Sequence, residues 1–234
     1  MCSWGVRRRR RCKMAVITIS RQVGSGGDEI AARICERLGY RYFDKQAMLD
    51  AAKGAGLCEA EVVDFSEERY EVQDFLSRIL RSRPRTVRQV LIREEAHGPV
   101  DTLTARELDE ERCVELVRLA VRHAYEQGDM VIVGRAGQAI LRGLPGVLHV
   151  RVIAPLEDRI RRLREQGISG ISEIKLTIAE RDRASAAYLK RFFGVSWDDP
   201  ALYHLVLNTG LLDYDLAADI VVHAAQRLPL AANV

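Results

Sequence analysis

Gly24, Gly26 and Gly27, set between an apolar run and an amphipathic one, are the residues whose type and spacing most directly suggest chemistry. The stretch Ala15-Val16-Ile17-Thr18-Ile19-Ser20 reads as a buried strand, because β-branched apolar residues suit a pleated interior. Ile30, Ala31, Ile34 and Leu38 then recur at helical spacing. The glycines between permit positive φ and let backbone approach a ligand closely. Backbone N–H groups at such a turn, with the positive end of a helix behind them, can hold an anionic phosphate. The stretch departs from the pattern G-x-x-x-x-G-K-[ST]: with Gly26 on its second glycine, Arg21 falls on the first, Gly27 on the lysine and Asp28 on the hydroxyl residue. By themselves the glycines are also compatible with nothing more than a tight strand-to-helix connection.

The elements that would position this turn follow from the apolar pattern. Gly39 stops the first helix, and Tyr40 to Phe43 read as a short strand ending at Asp44. Residues 45 to about 104 read as helical and charged, with apolar residues of one helix at Val72, Phe75, Leu76, Ile79 and Leu80. Thr104-Ala105-Arg106-Glu107 is a capping box opening a long helix that Gly128 ends. Strands are expected at Met130 to Val133, Val147 to Ile153 and Leu202 to Leu207. Helices are expected around Leu156, Ile160 and Leu163, from about Ser172 to Phe192, and from about Asp213 to Arg227. Arg159, Arg161, Arg162 and Arg164 are assigned to the outer side of the first of these. Alternating strands and helices imply an α/β fold with a parallel sheet covered on both faces, whose ligands bind beyond the carboxyl ends of the strands. Gly24 to Asp28, Asp44 and Gly134-Arg135 would converge there.

Composition narrows the function classes. With 234 residues and 47% apolar content the chain can build a real core, and no run approaches the roughly 18 apolar residues of a membrane span, so a soluble protein is expected. Five scattered cysteines without C-x-x-C spacing fit reduced thiols in a cytoplasmic protein, and no histidine pair suggests a tightly held transition metal. The net charge of +3 conceals six cations at Arg7 to Arg11 and Lys13; without them the remainder is 30 basic against 33 acidic residues. Residues 1–13 therefore read as a disordered extension ahead of a single domain at 14–234, Met14 standing directly before the first core strand. A mildly acidic core without interleaved aromatic and basic residues argues against nucleic-acid binding by the folded part.

These residues together resemble the cytidylate kinase-like family, relatives of the nucleoside monophosphate kinases. The resemblance is carried by Ile17-Thr18-Ile19-Ser20-Arg21 with Gly24-Ser25-Gly26-Gly27, Leu38-Gly39-Tyr40 and Tyr42-Phe43-Asp44-Lys45. It continues through Val131-Ile132-Val133-Gly134-Arg135, Ile153-Ala154-Pro155 with Arg159, Asp182 with Tyr188, Gly194 with Trp197, and Tyr203 with Leu207-Asn208-Thr209-Gly210. It implies a three-layer phosphate-loop kinase fold with a five-stranded parallel sheet, a helical monophosphate-binding excursion at about 45–104 and a lid at about 166–193. It also implies transfer of the γ-phosphoryl of ATP, with Mg2+, to a small phosphate-bearing acceptor such as CMP or dCMP. Compared with true cytidylate kinases the chain lacks the loop lysine at Gly27, has Asp50 where an arginine would meet the acceptor phosphate, and keeps Arg135 while losing the acid that would follow at Ala136. Ser185 and Tyr188 likewise replace an acid and an arginine of the lid. A nucleotide-binding regulator of the same fold, or a kinase of another small molecule, is the alternative reading.

Each candidate residue carries a role and a plainer rival. Arg21 could supply the charge that Gly27 cannot, or pair with a neighbouring acid. Gly24, Ser25, Gly26 and Gly27 would cradle the nucleotide phosphates. Asp28 could bind magnesium, or only favour the helix N-terminus through the dipole. Asp44 is a candidate for magnesium-water or acceptor contact, or a turn aspartate. Arg135 is the acceptor-phosphate candidate, since arginine forks onto phosphate oxygens, with a structural ion pair as its rival. Arg181, Arg183 and Lys190 could close onto the transferring phosphate, or form a solvated helix face. Trp197 and Tyr203 read as packing anchors.

Overall fold

The computed structural model describes residues 15–43, 110–168 and 170–228. The basic extension, Asp44, Asp50, the 45–104 segment and the capping box at Thr104 lie outside the described residues. Five parallel strands run β1 (Val16–Arg21), β2 (Arg41–Tyr42), β3 (Met130–Val133), β4 (Val147–Ile153) and β5 (Leu205–Asn208), in the order β2-β3-β1-β4-β5. β1, the strand that leads into the glycine turn, is thus central, with Ile17 beside Val131 of β3 and Leu148 of β4. Among the described residues six helices connect and cover the strands: α1 (Gly27–Leu38), α2 (Glu110–Gln127), α3 (Gly137–Ile140), α4 (Leu156–Glu165), α5 (Ile171–Phe193) and α6 (Tyr214–Arg227).

Side-chain alternation along β1 explains the three layers. Ile17 and Ile19 point into a core shared with Ile30 and Ile34 of α1 and Ala218 and Val221 of α6. Val16 points the other way, into a core with Val121 of α2, Ile140 of α3, Leu189 of α5 and Trp197. A third cluster joins Ile160 and Leu163 of α4 to Ile174 and Ile178 of α5, so α5 has an apolar reason to lie against α4.

Two expectations about the elements need correcting. The last strand begins at Leu205, because Pro200–Leu202 form a 3₁₀ turn whose start is fixed by the Asp199 carboxylate accepting from Ala201 N. Arg159 and Arg162 do not lie on an outer face of α4: Arg159 is only 5% exposed and both turn inward onto the glycine turn. Their guanidinium groups are tolerated there because backbone carbonyls and a carboxylate receive their N–H donors.

The face of β1 opposite α1 is unusually polar. The Thr18 hydroxyl lies 2.7 Å from Nδ1 of buried His149, whose ring stacks on His204 with centroids 5.2 Å apart. His149 N donates to His204 Nδ1, and His204 N donates back to the His149 carbonyl. Ser20 accepts from Trp197 Nε1 at 2.8 Å, and buried Arg151 lies over the Trp197 ring while pairing with Asp198. These contacts staple the 194–204 segment to the sheet.

Burial, reinforced by the neighbouring His204, holds the His149 imidazole down at about 4. The unfolded chain, whose histidine has the ordinary value of 6.5, binds more protons than the fold between those values. The contribution is therefore complete above pH 6.5 and is lost as pH falls through 4. It amounts to about 3 kcal/mol at most, at about 1.36 kcal/mol per pKa unit. Thermal midpoints measured from pH 7 downward should fall more steeply for the wild type than for His149→Gln; equal slopes would contradict the assignment.

Candidate phosphate-binding site

The turn after β1 owes its shape to its sequence. Gly24 and Gly26 adopt φ of +74° and +81°, conformations open to glycine at little cost. Close packing adds a second demand: a methyl group at Gly24 would lie 3.0 Å from the Arg159 carbonyl, and one at Gly26 would meet the Tyr214 ring at 2.3 Å. Ser25 N and Oγ both donate to the Gln22 carbonyl, at 3.1 and 2.7 Å. Gly26 is the N-cap of α1 and no side chain caps it, so the first-turn N–H groups of α1 keep their outward bonding capacity.

Three elements hold this turn from behind. Arg159 of α4 donates from Nε to the Val23 carbonyl at 2.7 Å and pairs through Nη2 with Asp182 of α5 at 2.5 Å. The other oxygen of Asp182 accepts from Val23 N at 3.1 Å. Both polar groups of one peptide-forming residue are therefore gripped from two helices. Arg162 donates to Thr209 O at 2.7 Å and to Gly24 O at 3.3 Å, while the Thr209 hydroxyl donates to Ser25 O at 2.7 Å. The turn after β5 is thus fastened to the turn after β1.

On the open side, Arg21 Nε lies 3.2 Å from Asp28 Oδ2, and Tyr42 donates its hydroxyl to Asp28 Oδ1 at 3.2 Å. Burial first and the Asp28 carboxylate next raise the Tyr42 phenol above its ordinary range, so it stays a donor. Both oxygens of Asp28 are engaged, and its place in the first turn of α1 also suits the helix dipole.

The exit of β3 lies beside the exit of β1, Gly134 N donating to the Ile19 carbonyl at 2.9 Å. There Arg135 and Ala136 adopt φ of +56° and +52°, and Gly137 N closes onto Gly134 O at 3.0 Å. Both residues lie in the left-handed region, which normally takes Gly or Asn, and two other L-residues there store strain of about 1 kcal/mol or more each. Three residues beyond Arg135, Gln138 is buried with its amide oxygen unpartnered.

The candidate residues thus divide. The Gly24–Gly27 turn, Arg21 and Asp28 form one group, and the neighbouring strand end sets Arg135 beside them. Arg181 and Arg183 are exposed on α5 on either side of the gripped Asp182, whereas Lys190 lies about 12 Å further along the helix axis. Asp44 is outside the described residues. Sequence reading missed Asp182, Arg159 and Arg162 as the grip on the turn; the shared Asp182 and Arg159 of the family resemblance were the available signal. It also missed Gln138, for which no pattern existed.

A parallel sheet of this order, with an uncapped helix start at its carboxyl edge, defines a phosphate-loop kinase fold. The chain belongs to the cytidylate kinase-like family, whose model matches residues 16–211. A stretch of 87 residues is 31% identical to a cytidylate kinase of Methanosarcina acetivorans, covering 36% of this chain and 48% of that protein. Another of 115 residues is 30% identical to a cytidylate kinase of Methanopyrus kandleri, covering 46% and 60%. The chain matches about half the length of these curated relatives. A crystal structure of an uncharacterized protein from Eubacterium ventriosum superposes with a TM-score of 0.58 at 17% identity, over 91% of this chain and 99% of that one, a likeness of fold. Among the described residues no helix is long and apolar enough to cross a membrane, and no group of three or more His, Cys, Asp or Glu side chains could hold a metal ion.

Removing Asp182 strands a buried guanidinium and a loop N–H together. Asp182→Ala should cost about 3 kcal/mol in urea unfolding, as for a broken buried pair, and Asp182→Asn should cost less because its amide oxygen can still accept from Val23 N. Equal, small losses in both variants would show that the grip contributes little.

Proposed function

We propose that the protein transfers the γ-phosphoryl group of ATP to a small phosphate-bearing acceptor, CMP or dCMP being the first to try. The observation that carries this reading is the glycine turn gripped from behind and open in front, with an arginine leaving the adjacent strand. The residues fit a triphosphate: positive-φ glycines bring backbone close, and the uncapped start of α1 offers N–H groups to anionic oxygens. They do not fit a directly bound magnesium at Asp28, whose two oxygens already accept from Arg21 and Tyr42.

Phosphoryl transfer is chiefly positioning and charge neutralisation. Arg135 would fork onto the acceptor phosphate, holding its oxygen in line with the γ-phosphorus as the bond to the departing diphosphate lengthens. The strained turn at Arg135 and Ala136 supports that role, since strain at a strand exit is found where a side chain must be aimed. Arg181 and Arg183 flank the Asp182 contact and would bring further positive charge, with α5 serving as the lid and the 45–104 segment receiving the acceptor. A rival reading, a nucleotide-binding regulator, draws on Gly27, which leaves the loop without its lysine.

The test is a coupled turnover screen across the common nucleoside monophosphates with product identified, run beside calorimetry with ATP and magnesium. Arg135→Ala should weaken acceptor binding by about 1.5–3 kcal/mol while leaving ATP affinity nearly unchanged. ATP binding without turnover of any acceptor would favour the regulator. Absence of ATP binding at millimolar concentration would remove the kinase reading altogether.

A further inference from the structure

Gly27 is a glycine for want of space, not for its backbone. Its φ lies outside the left-handed region, so any L-residue could adopt it. A methyl group built there, however, would lie 2.5 Å from Cβ and 2.8 Å from Cγ of Arg21. Those atoms belong to the stem of the arginine, which cannot swing aside as a chain end can. Arg21 and a side chain at position 27 therefore exclude each other.

Arg21 is also held where it lies. Its stem crosses the first turn of α1, and its Nε is bonded to Asp28, which the Tyr42 hydroxyl secures from the other side. The side chain at the end of β1 consequently occupies the volume that a residue on α1 would fill in a loop carrying a lysine. One cation is lost at position 27 and one is gained at position 21, over the same turn of helix.

We propose that Arg21 and Gly27 are a reciprocal pair, in which the phosphate-facing cation has been moved from the helix to the strand and the glycine exists to admit it. The proposal rests on the kinase reading for its chemistry, though not for its geometry. Arg21 would touch the triphosphate through its guanidinium, with Asp28 and Tyr42 as positioning residues. The arginine offers a planar fork where a lysine offers a point charge, so the loop should grip two phosphate oxygens at once.

The experiment compares the wild type, Arg21→Gly, Gly27→Lys and the double variant. Gly27→Lys alone should lower the thermal midpoint by about 3–8 °C through overpacking, and adding Arg21→Gly should restore most of that loss. Arg21→Gly should reduce kcat by about 100-fold and weaken ATP binding, read as KM, by about tenfold, and the double variant should regain at least tenfold in kcat. Additive midpoint changes, wild-type turnover in Arg21→Gly, or no recovery in the double variant would each overturn the pairing. If the wild type transfers no phosphoryl group, the kinase reading fails separately. Affinity for inorganic tripolyphosphate then decides: it must fall about tenfold in Arg21→Gly and return in the double variant, and unchanged affinity overturns the proposal.

Discussion

The grip on Val23 is the constraint from which the site follows. A glycine turn costs conformational entropy to order, and nothing within Val23 to Gly27 fixes it except the bonds of Ser25 to Gln22. Arg159 and Asp182 supply the missing order by taking the Val23 carbonyl and N–H from behind, so that the N–H groups at the start of α1 remain on the open side. The same pair joins α5 to α4 beyond their apolar contact, which makes the position of Arg181 and Arg183 depend on the loop they would serve. The glycine turn and the two helices are in this way one mechanical unit.

Polarity is distributed unequally across the sheet, and that asymmetry assigns work to its two faces. The face toward α1 and α6 is almost wholly apolar and behaves as a core. The opposite face carries Thr18, Ser20, His149 and Arg151 beneath the 194–204 segment, each satisfied by a specific partner. Satisfied polar contacts fix one arrangement where apolar packing would tolerate several, at the cost of sensitivity to acid through His149. Gln138 of α3 buries an amide oxygen without a partner just past the strained turn at Arg135 and Ala136.

Much of this was legible in the sequence, for identifiable reasons. β3 is a continuous apolar run and β1 and β4 carry β-branched or apolar residues at most positions, and the helix stops at Gly39 and Gly128 are glycines in left-handed conformations. The orientation of α4 was not legible, because counting charges assigns arginines to water, whereas Arg159 and Arg162 are drawn inward by carbonyl oxygens on distant segments. The onset of β5 was misplaced for a local reason, Asp199 and Pro200 starting a 3₁₀ turn through Leu202. Left-handed backbone at Arg135 and Ala136 left no sign in residue type, and the exclusion between Arg21 and Gly27 exists only once the strand end and helix start are brought together.

The central claim is that the backbone of the glycine turn receives a triphosphate. Amide resonances of the isotopically labelled protein, followed while ATP and magnesium are added, measure this residue by residue. The account predicts that the signals of Gly24, Gly26, Gly27 and Asp28 move together and saturate with the nucleotide, while those of α6 beyond its first turn stay in place. Saturating shifts that spare those four amides, in a protein that remains folded, would contradict it.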